Sequence, residues 1–185
     1  MSEISIYLVR HGEAAASWSE SSDPGLSELG WQQAQETGKT LHAHLDDRVN
    51  LVSSPLARAI ETAQPLARAR SLDVAINPSF KEIPSPVPLS ERQDWLRGFM
   101  REQWQQQPEF LHQWRQQALN ELTALTENTV IFTHFLVLNA VVGSILGKEE
   151  TLCFRPDNAS ITQLTLRDGA LELVSTGQEM TTVIN

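Results

Sequence analysis

An α/β fold is the architecture this sequence predicts: a three-layer αβα sandwich with a mostly parallel central sheet, helices on both faces and an antiparallel edge. Three observations carry the expectation. Short, β-branched-rich apolar runs alternate along the chain with longer segments whose apolar residues recur at helical spacing, the pattern of strand–helix units around a parallel sheet. The first run, Ile4 to Val9, has the composition of a strand covered on both faces. The last two runs, ASITQLTL and ALELVST, flank Asp168-Gly169, a turn of the kind that joins antiparallel neighbours.

The elements follow in order. After the first strand the chain turns at Pro24-Gly25 and opens a helix at Ser27, in which Leu29 or Trp31, Ala34, Gly38, Leu41 and Leu45 keep helical spacing. Val49 to Val52 forms a short second strand. Ser54-Pro55 then reads as a helix start, with the hydroxyl capping and the proline in the first helical position. PLARAIETAQPLARAR is a helix that Pro65 should kink or end. DVAIN reads as a strand, and the proline-rich NPSFKEIPSPVPLS as a loop. From about 89 to 126, two helices separated near Pro108 present Leu96, Phe99, Met100 and Trp104 on one face, and Leu111, Trp114, Ala118, Leu122 and Leu125 on the other. TVIFTH is a strand and FLVLNAVVGSIL a buried helix stopped by Gly147.

Bulk composition narrows the function. A chain of 185 residues, 41% hydrophobic and 20% charged, suits one globular domain over 1–185. The net charge of −9 argues against nucleic acid and anionic membranes as partners, yet leaves room for a locally positive pocket. Cys153 is the single cysteine, so no internal disulfide framework exists. The apolar stretch near the N-terminus is too short for a signal peptide, and FLVLNAVVGSIL falls short of the ~20 residues a membrane span requires. A cytoplasmic protein is expected. Oligomeric state is left open.

Function is legible where strands end. The first strand stops in Arg10-His11; Arg58 stands in the first turn after the second; TVIFT ends in His134 at a helix start. Parallel strands put their carboxyl ends on one rim, where ligands of open α/β sheets bind. Two arginines and two histidines converging there, beside helix N-termini, make a phosphate site that requires no metal.

These residues also carry a resemblance. RHGE after the first strand, SSPLARAIETA after the second and the late Thr133-His134, in that order over most of the chain, resemble the histidine phosphatase superfamily, the phosphoglycerate-mutase-like group. The resemblance implies that His11 attacks phosphorus and carries a phosphohistidine. Arg10 and Arg58 would disfavour its protonated form and, with His134, hold the phosphoryl oxygens. Gly12 would let the backbone approach the phosphate. The proton donor is expected from the segment after the third strand, at Glu82, with Glu91 and Asp94 in reserve; Glu13 is expected at most to support the site from behind. The stretch from about 80 to 126 is expected to form a cap over the site.

Several positions depart from the family pattern. Ala14 and Ser17 stand where many members have Thr and Asn, leaving Ser17 as a shorter donor to substrate. Phe135 replaces the glycine common after the late histidine, and prolines replace the usual Gly-Trp-Glu-Gly loop. No Asp follows His134, which disfavours the acid phosphatase and phytase branch. The expectation is a metal-independent phosphoric monoester hydrolase without cofactor, acting on a small phosphorylated substrate. Protein phosphohistidine phosphatase, a phosphoglycerate-mutase-type transferase and a non-catalytic phosphate-binding scaffold are the alternatives.

Overall fold

The computed structural model describes residues 2–16 and 21–181. Six strands form one sheet: β1 (Glu3–Arg10), β2 (Asn50–Ser53), β3 (Val74–Ile76), β4 (Thr129–Thr133), β5 (Ile161–Arg167) and β6 (Ala170–Ser175). Their order is β3-β2-β4-β1-β5-β6. The first four run parallel, while β5 is antiparallel to β1 and β6 to β5. The predicted architecture is the observed one, antiparallel edge included.

Side-chain alternation explains the layers. Along β1, Ile6 and Leu8 enter one hydrophobic cluster while Tyr7 and Val9 enter another; along β4, Ile131 joins the first and Val130 and Phe132 the second. Successive residues of a strand face opposite sides, so the clusters lie on opposite faces of the sheet. Helices α1 (Glu28–His44) and α2 (Ala57–Arg70) cover the second cluster through Leu41, Ala59, Ala63 and Leu66. Of the remaining helices, α3 (Arg92–Phe99), α4 (Glu109–Thr123) and α5 (Phe135–Leu146), the last two cover the first through Ala118, Leu122, Val137 and Val141. A third cluster joins Ile83, Leu96, Phe99, Trp104 and Leu111 to Phe135 and Leu136, so the 80–111 stretch packs on the start of α5. Among the described residues, no helix is long and apolar enough to cross a membrane.

Most helix ends match their sequence signals. Ser27 caps α1, its hydroxyl accepting from Gly30 N. Pro108 is the N-cap residue of α4, and Gly147 ends α5 at φ 67°, in the left-handed region. Two expectations fail. Pro65 does not end α2, which runs through it to Arg70. Leu66 and Ala67 just beyond it are buried, and at Gly38 of α1 a Cβ would lie 3.2 Å from that of Pro65. Close packing of α1 on α2 thus outweighs the one backbone donor the proline removes. Nor does Ser54-Pro55 open α2. The helix begins at Ala57, whose N–H is taken by Asp23 Oδ1 at 2.7 Å, an anion at a helix N-terminus. In α1 the inward positions near the start are Gly30 and Ala34, and Leu29 points to solvent.

The chain after β1 is pressed against α1. A Cβ on Gly12 would come within 2.6 Å of Gly30 O, and one on Gly30 would collide with Glu13 O. Glycine to alanine inside a helix normally stabilises by up to ~1 kcal/mol. At Gly30 the sign should reverse: Gly30→Ala is expected to destabilise by about 1–3 kcal/mol in urea unfolding, as overpacking does. An unchanged or raised midpoint would refute the close contact.

Candidate active site

The sheet register builds the site. Arg10 lies opposite Thr133 on the neighbouring strand, and Ser53 opposite Phe132. The residues that follow, His11, Ser54 and His134, therefore emerge side by side from β1, β2 and β4. Backbone bonds hold the ends in place: His11 N donates to Thr133 O (3.0 Å), Ser54 N to Phe132 O (3.0 Å) and Arg10 N to Ser160 O (3.2 Å). The second residue of α2, Arg58, reaches into the same space. All four basic residues are buried, with His11 at 4% exposure.

Two contacts define the state of His11. Arg58 Nε lies 3.1 Å from His11 Nε2, and His11 Nδ1 lies 2.6 Å from Gly12 O. A guanidinium can only donate and a carbonyl can only accept. Nε2 is therefore the bare nitrogen with its lone pair toward Arg58, and Nδ1 carries the proton. Burial first, then the charges of Arg10 and Arg58, push the imidazole well below its ordinary pKa. The result is a neutral, desolvated base whose one available lone pair accepts from Arg58. Its backbone is tied to the next helix: Gly12 N donates to Thr62 Oγ1 (3.0 Å), and that hydroxyl donates to Arg58 O (2.7 Å).

Arg10 donates from NH1 to Pro156 O (3.0 Å) and contacts Met180 Sδ (3.4 Å), while its guanidinium carbon stands 5.1 Å from the Phe135 ring centroid. Its Nε is buried without a partner. Burial lowers its pKa to about 10, which leaves it charged at neutral pH. Phe135, which stands in place of the family's glycine, lies beneath Arg10 at 1% exposure. His134 shares a 2.7 Å hydrogen bond through Nε2 with Ser54 Oγ, and its Nδ1 is buried and unpartnered. The His11 and His134 rings are 5.2 Å apart. Burial, then His11 and the arginines, lower the His134 pKa as well.

Glu82 completes the group. Its carboxyl, 5% exposed, accepts from Ile83 N (3.1 Å) and from Leu136 N (3.3 Å) in the first turn of α5. Burial raises its pKa, opposed by those amides and by Arg58 and Arg92. Glu82 and Arg58 line a cleft of about 550 Å³, whose walls include Leu56, Ile83, Pro84 and Trp114. The reserve carboxylates are elsewhere: Glu91 is exposed, and Asp94 is exposed and paired with Arg97 at 3.5 Å. Ser17 lies outside the described residues. The glycine at position 12 has a structural cause of its own in the contact with Gly30. Glu13 supports the loop by accepting from Ser27 Oγ (2.9 Å). Trp95, Trp104 and Trp114 all pack in or against the third cluster, and Trp114 also lines the cleft.

Sequence reasoning missed Ser54 as a partner of His134 and Arg92 as a cleft residue. Ser54 and His134 are 80 positions apart, and no local pattern could pair them. Arg92 reads as a solvated helix residue in an ordinary polar stretch.

The buried histidines carry a stability signature. A group whose folded-state pKa is lowered contributes stability that is present above its unfolded value, near 6.5, and is lost as pH falls toward the folded value. Each can cost at most about 1.4 kcal/mol per pH unit below 6.5. Glu82 acts with the opposite sign, its contribution being present below its unfolded value and lost as pH rises. Unfolding free energy measured from pH 7 to pH 5 should therefore drop more steeply in the native chain than in His11→Gln/His134→Gln. Equal slopes would show that the histidines are not held neutral.

With that geometry in view, comparisons with known proteins are informative. The sequence profile of the histidine phosphatase superfamily (branch 1) matches residues 6–179. Probable phosphoglycerate mutase GpmB of Erwinia tasmaniensis is 30% identical over 165 residues, covering 78% of this chain and 75% of that protein. Among solved structures, phosphoserine phosphatase of Entamoeba histolytica in complex with 3-phosphoglyceric acid superposes with a TM-score of 0.75 at 23% identity, covering 95% of this chain and 97% of the other. Mycobacterial glucosyl-3-phosphoglycerate phosphatase superposes at 0.71 with 20% identity, covering 95% and 99%. At those identities the structures speak for the fold, and the sequence match speaks for descent: the chain belongs to branch 1 of the histidine phosphatase superfamily.

Proposed function

We propose that this protein is a metal-independent phosphatase of small phosphomonoesters, working through a phosphohistidine on His11. The observation that carries the reading is the bare Nε2 of His11, held by Arg58 and backed by Gly12 O. In the first step Nε2 attacks phosphorus while the bond from phosphorus to the ester oxygen breaks. Arg58 transfers its N–H from the imidazole to a phosphoryl oxygen, and Arg10 and His134 take the others, stabilising charge as it develops. Glu82, whose affinity for a proton burial raises, gives that proton to the departing alcohol. In the second step water attacks phosphorus, Glu82 takes the proton, the P–N bond breaks and phosphate leaves. Gly12 and Ser17 are the further candidates for contact with the phosphoryl group.

The whole chain would act as one domain, with the stretch from about 80 to 126 as its cap; Lys81, Glu82, Arg92 and Trp114 on the cleft wall support this. The hydrolase reading is preferred to a mutase because the chain is short and Glu82, the proposed proton donor, lines a cleft of about 550 Å³ where water can reach it.

Phosphate release measured in excess chelator from a panel of alkyl and aryl phosphates tests the reading. Turnover should persist in chelator and disappear in His11→Ala. Glu82→Gln should lower kcat by about 10²–10⁴-fold for alkyl esters but much less for p-nitrophenyl phosphate, whose leaving group needs no proton. The fall in kcat as pH rises through the titration of Glu82 should also vanish in that variant. Chelator-sensitive turnover, or activity surviving in His11→Ala, would refute the proposal. Equal, mild effects of Glu82→Gln on every ester would remove its role as acid and favour phosphohistidine peptides as substrates.

A further inference from the structure

Glu82 belongs to a length of chain with no helix or strand to hold it: from Lys81 to Pro88 the backbone is irregular. Its carbonyls are met instead by side chains from three other elements. Thr133 Oγ1, at the end of β4, donates to Phe80 O at 2.7 Å. Trp114 Nε1 of α4 donates to Lys81 O at 3.0 Å, and an NH2 hydrogen of Arg92 in α3 goes to Ile83 O at 3.3 Å. Glu82 is thus bracketed by anchored peptides on both sides.

The three anchors are unequal. Those made by Trp114 and Arg92 are exposed or partly buried, so water can replace a lost donor. The Thr133 contact is the shortest and is enclosed, with Thr133 at 0% exposure and Phe80 at 2%. A carbonyl left unmet there must move to find another partner. The strand itself does not ask for a hydroxyl, because valine has the same branching and suits a buried strand better. Thr133 also stands on the strand between β1 and β2, and its own carbonyl accepts from His11 N at 3.0 Å. One residue of a central strand therefore grips the backbone of His11 through its carbonyl and the Glu82 segment through its hydroxyl.

We infer that Thr133 is a positioning residue that sets the separation between His11 and Glu82, so that the carboxyl stands within reach of the departing oxygen when Nε2 attacks phosphorus. The inference rests on the roles proposed above for those two residues and adds what fixes the distance between them. A misplacement of about 1 Å costs roughly tenfold to a hundredfold in rate. That loss falls only on leaving groups that need the proton.

Two esters that differ in this need separate positioning from general damage: glycerol 2-phosphate, which leaves as an alcohol, and p-nitrophenyl phosphate. The ratio of their kcat values would be measured for the wild-type chain, Glu82→Gln, Thr133→Val, Thr133→Ala, Thr133→Ser and Thr129→Val. The last removes an equally buried threonine hydroxyl from the far end of β4, where it donates to Glu127 O at 2.8 Å. Thr133→Val should lower the ratio about tenfold or more, with KM for both esters little changed. Thr133→Ala should do the same, and serves if the valine variant does not fold. Thr133→Ser, which keeps the donor, should recover most of the ratio, and Thr129→Val should match wild type. A ratio unchanged in Thr133→Val and Thr133→Ala, but lowered in Glu82→Gln, would overturn the positioning role and leave Glu82 as the acid. Equal losses on both esters, or a loss that Thr133→Ser does not recover, would overturn it too. A ratio unchanged in Glu82→Gln would remove the acid itself and this inference with it.

Discussion

The hydrogen bond from Arg58 to His11 is the contact on which the rest of the site depends. It joins the first turn of α2 to the end of β1 and consumes the only free lone pair of the imidazole. A protonated histidine could not accept it, so the contact exists only while the base is neutral. Burial and two neighbouring guanidiniums enforce that neutrality. The same charges that disfavour a proton on Nε2 favour an anion beside it, so one arrangement both keeps the base unprotonated and makes its surroundings receptive to anions.

The surrounding backbone keeps this contact short. Thr62 bridges Gly12 N and Arg58 O, locking the loop after β1 to the helix that carries the arginine. Asp23 supplies the missing acceptor at the start of α2, and Glu61 accepts from Leu26 N at 2.7 Å, so the segment before α1 is fastened to α2 as well. On the other face, Asn139 in the apolar helix α5 accepts from Cys153 N and Phe154 N. That fastens the strand of chain leading to Pro156, whose carbonyl holds Arg10. A polar residue inside a buried helix is costly unless its bonds are met, and here its carbonyl accepts two backbone N–H groups of the segment before Pro156 while its amide donates to Phe135 O.

An acidic protein thus houses a basic site. The overall charge of −9 is spread over solvated side chains, while Arg10, Arg58, His11 and His134 are withdrawn from water. Glu82 shares their burial but keeps two backbone amides as donors. Its protonation balances loss of water against those amides and two arginines, and loss of water dominates. Two acid–base groups with opposite shifts in one small volume form an arrangement suited to a nucleophile and a proton donor.

The sequence by itself determined the fold class, the strand and helix order, and the residues at strand ends. Alternation of β-branched runs with helical spacing is a local property, and RHGE, SSPLARAIETA and Thr133-His134 are short enough to read directly. Glu82 too was legible through the family resemblance. Only the tertiary structure decided what those residues touch. Ser54 reads as a helix cap but serves His134, because parallel pairing sets β2 beside β4. Pro65 reads as a kink or end of the helix, yet α2 continues through it to Arg70, where α1 packs closely on it. Phe135 packs beneath Arg10, and Arg92, which reads as a solvated helix residue, lines the cleft. Such contacts depend on sheet register and layer packing, which bring together residues whose separation along the chain leaves no periodic trace.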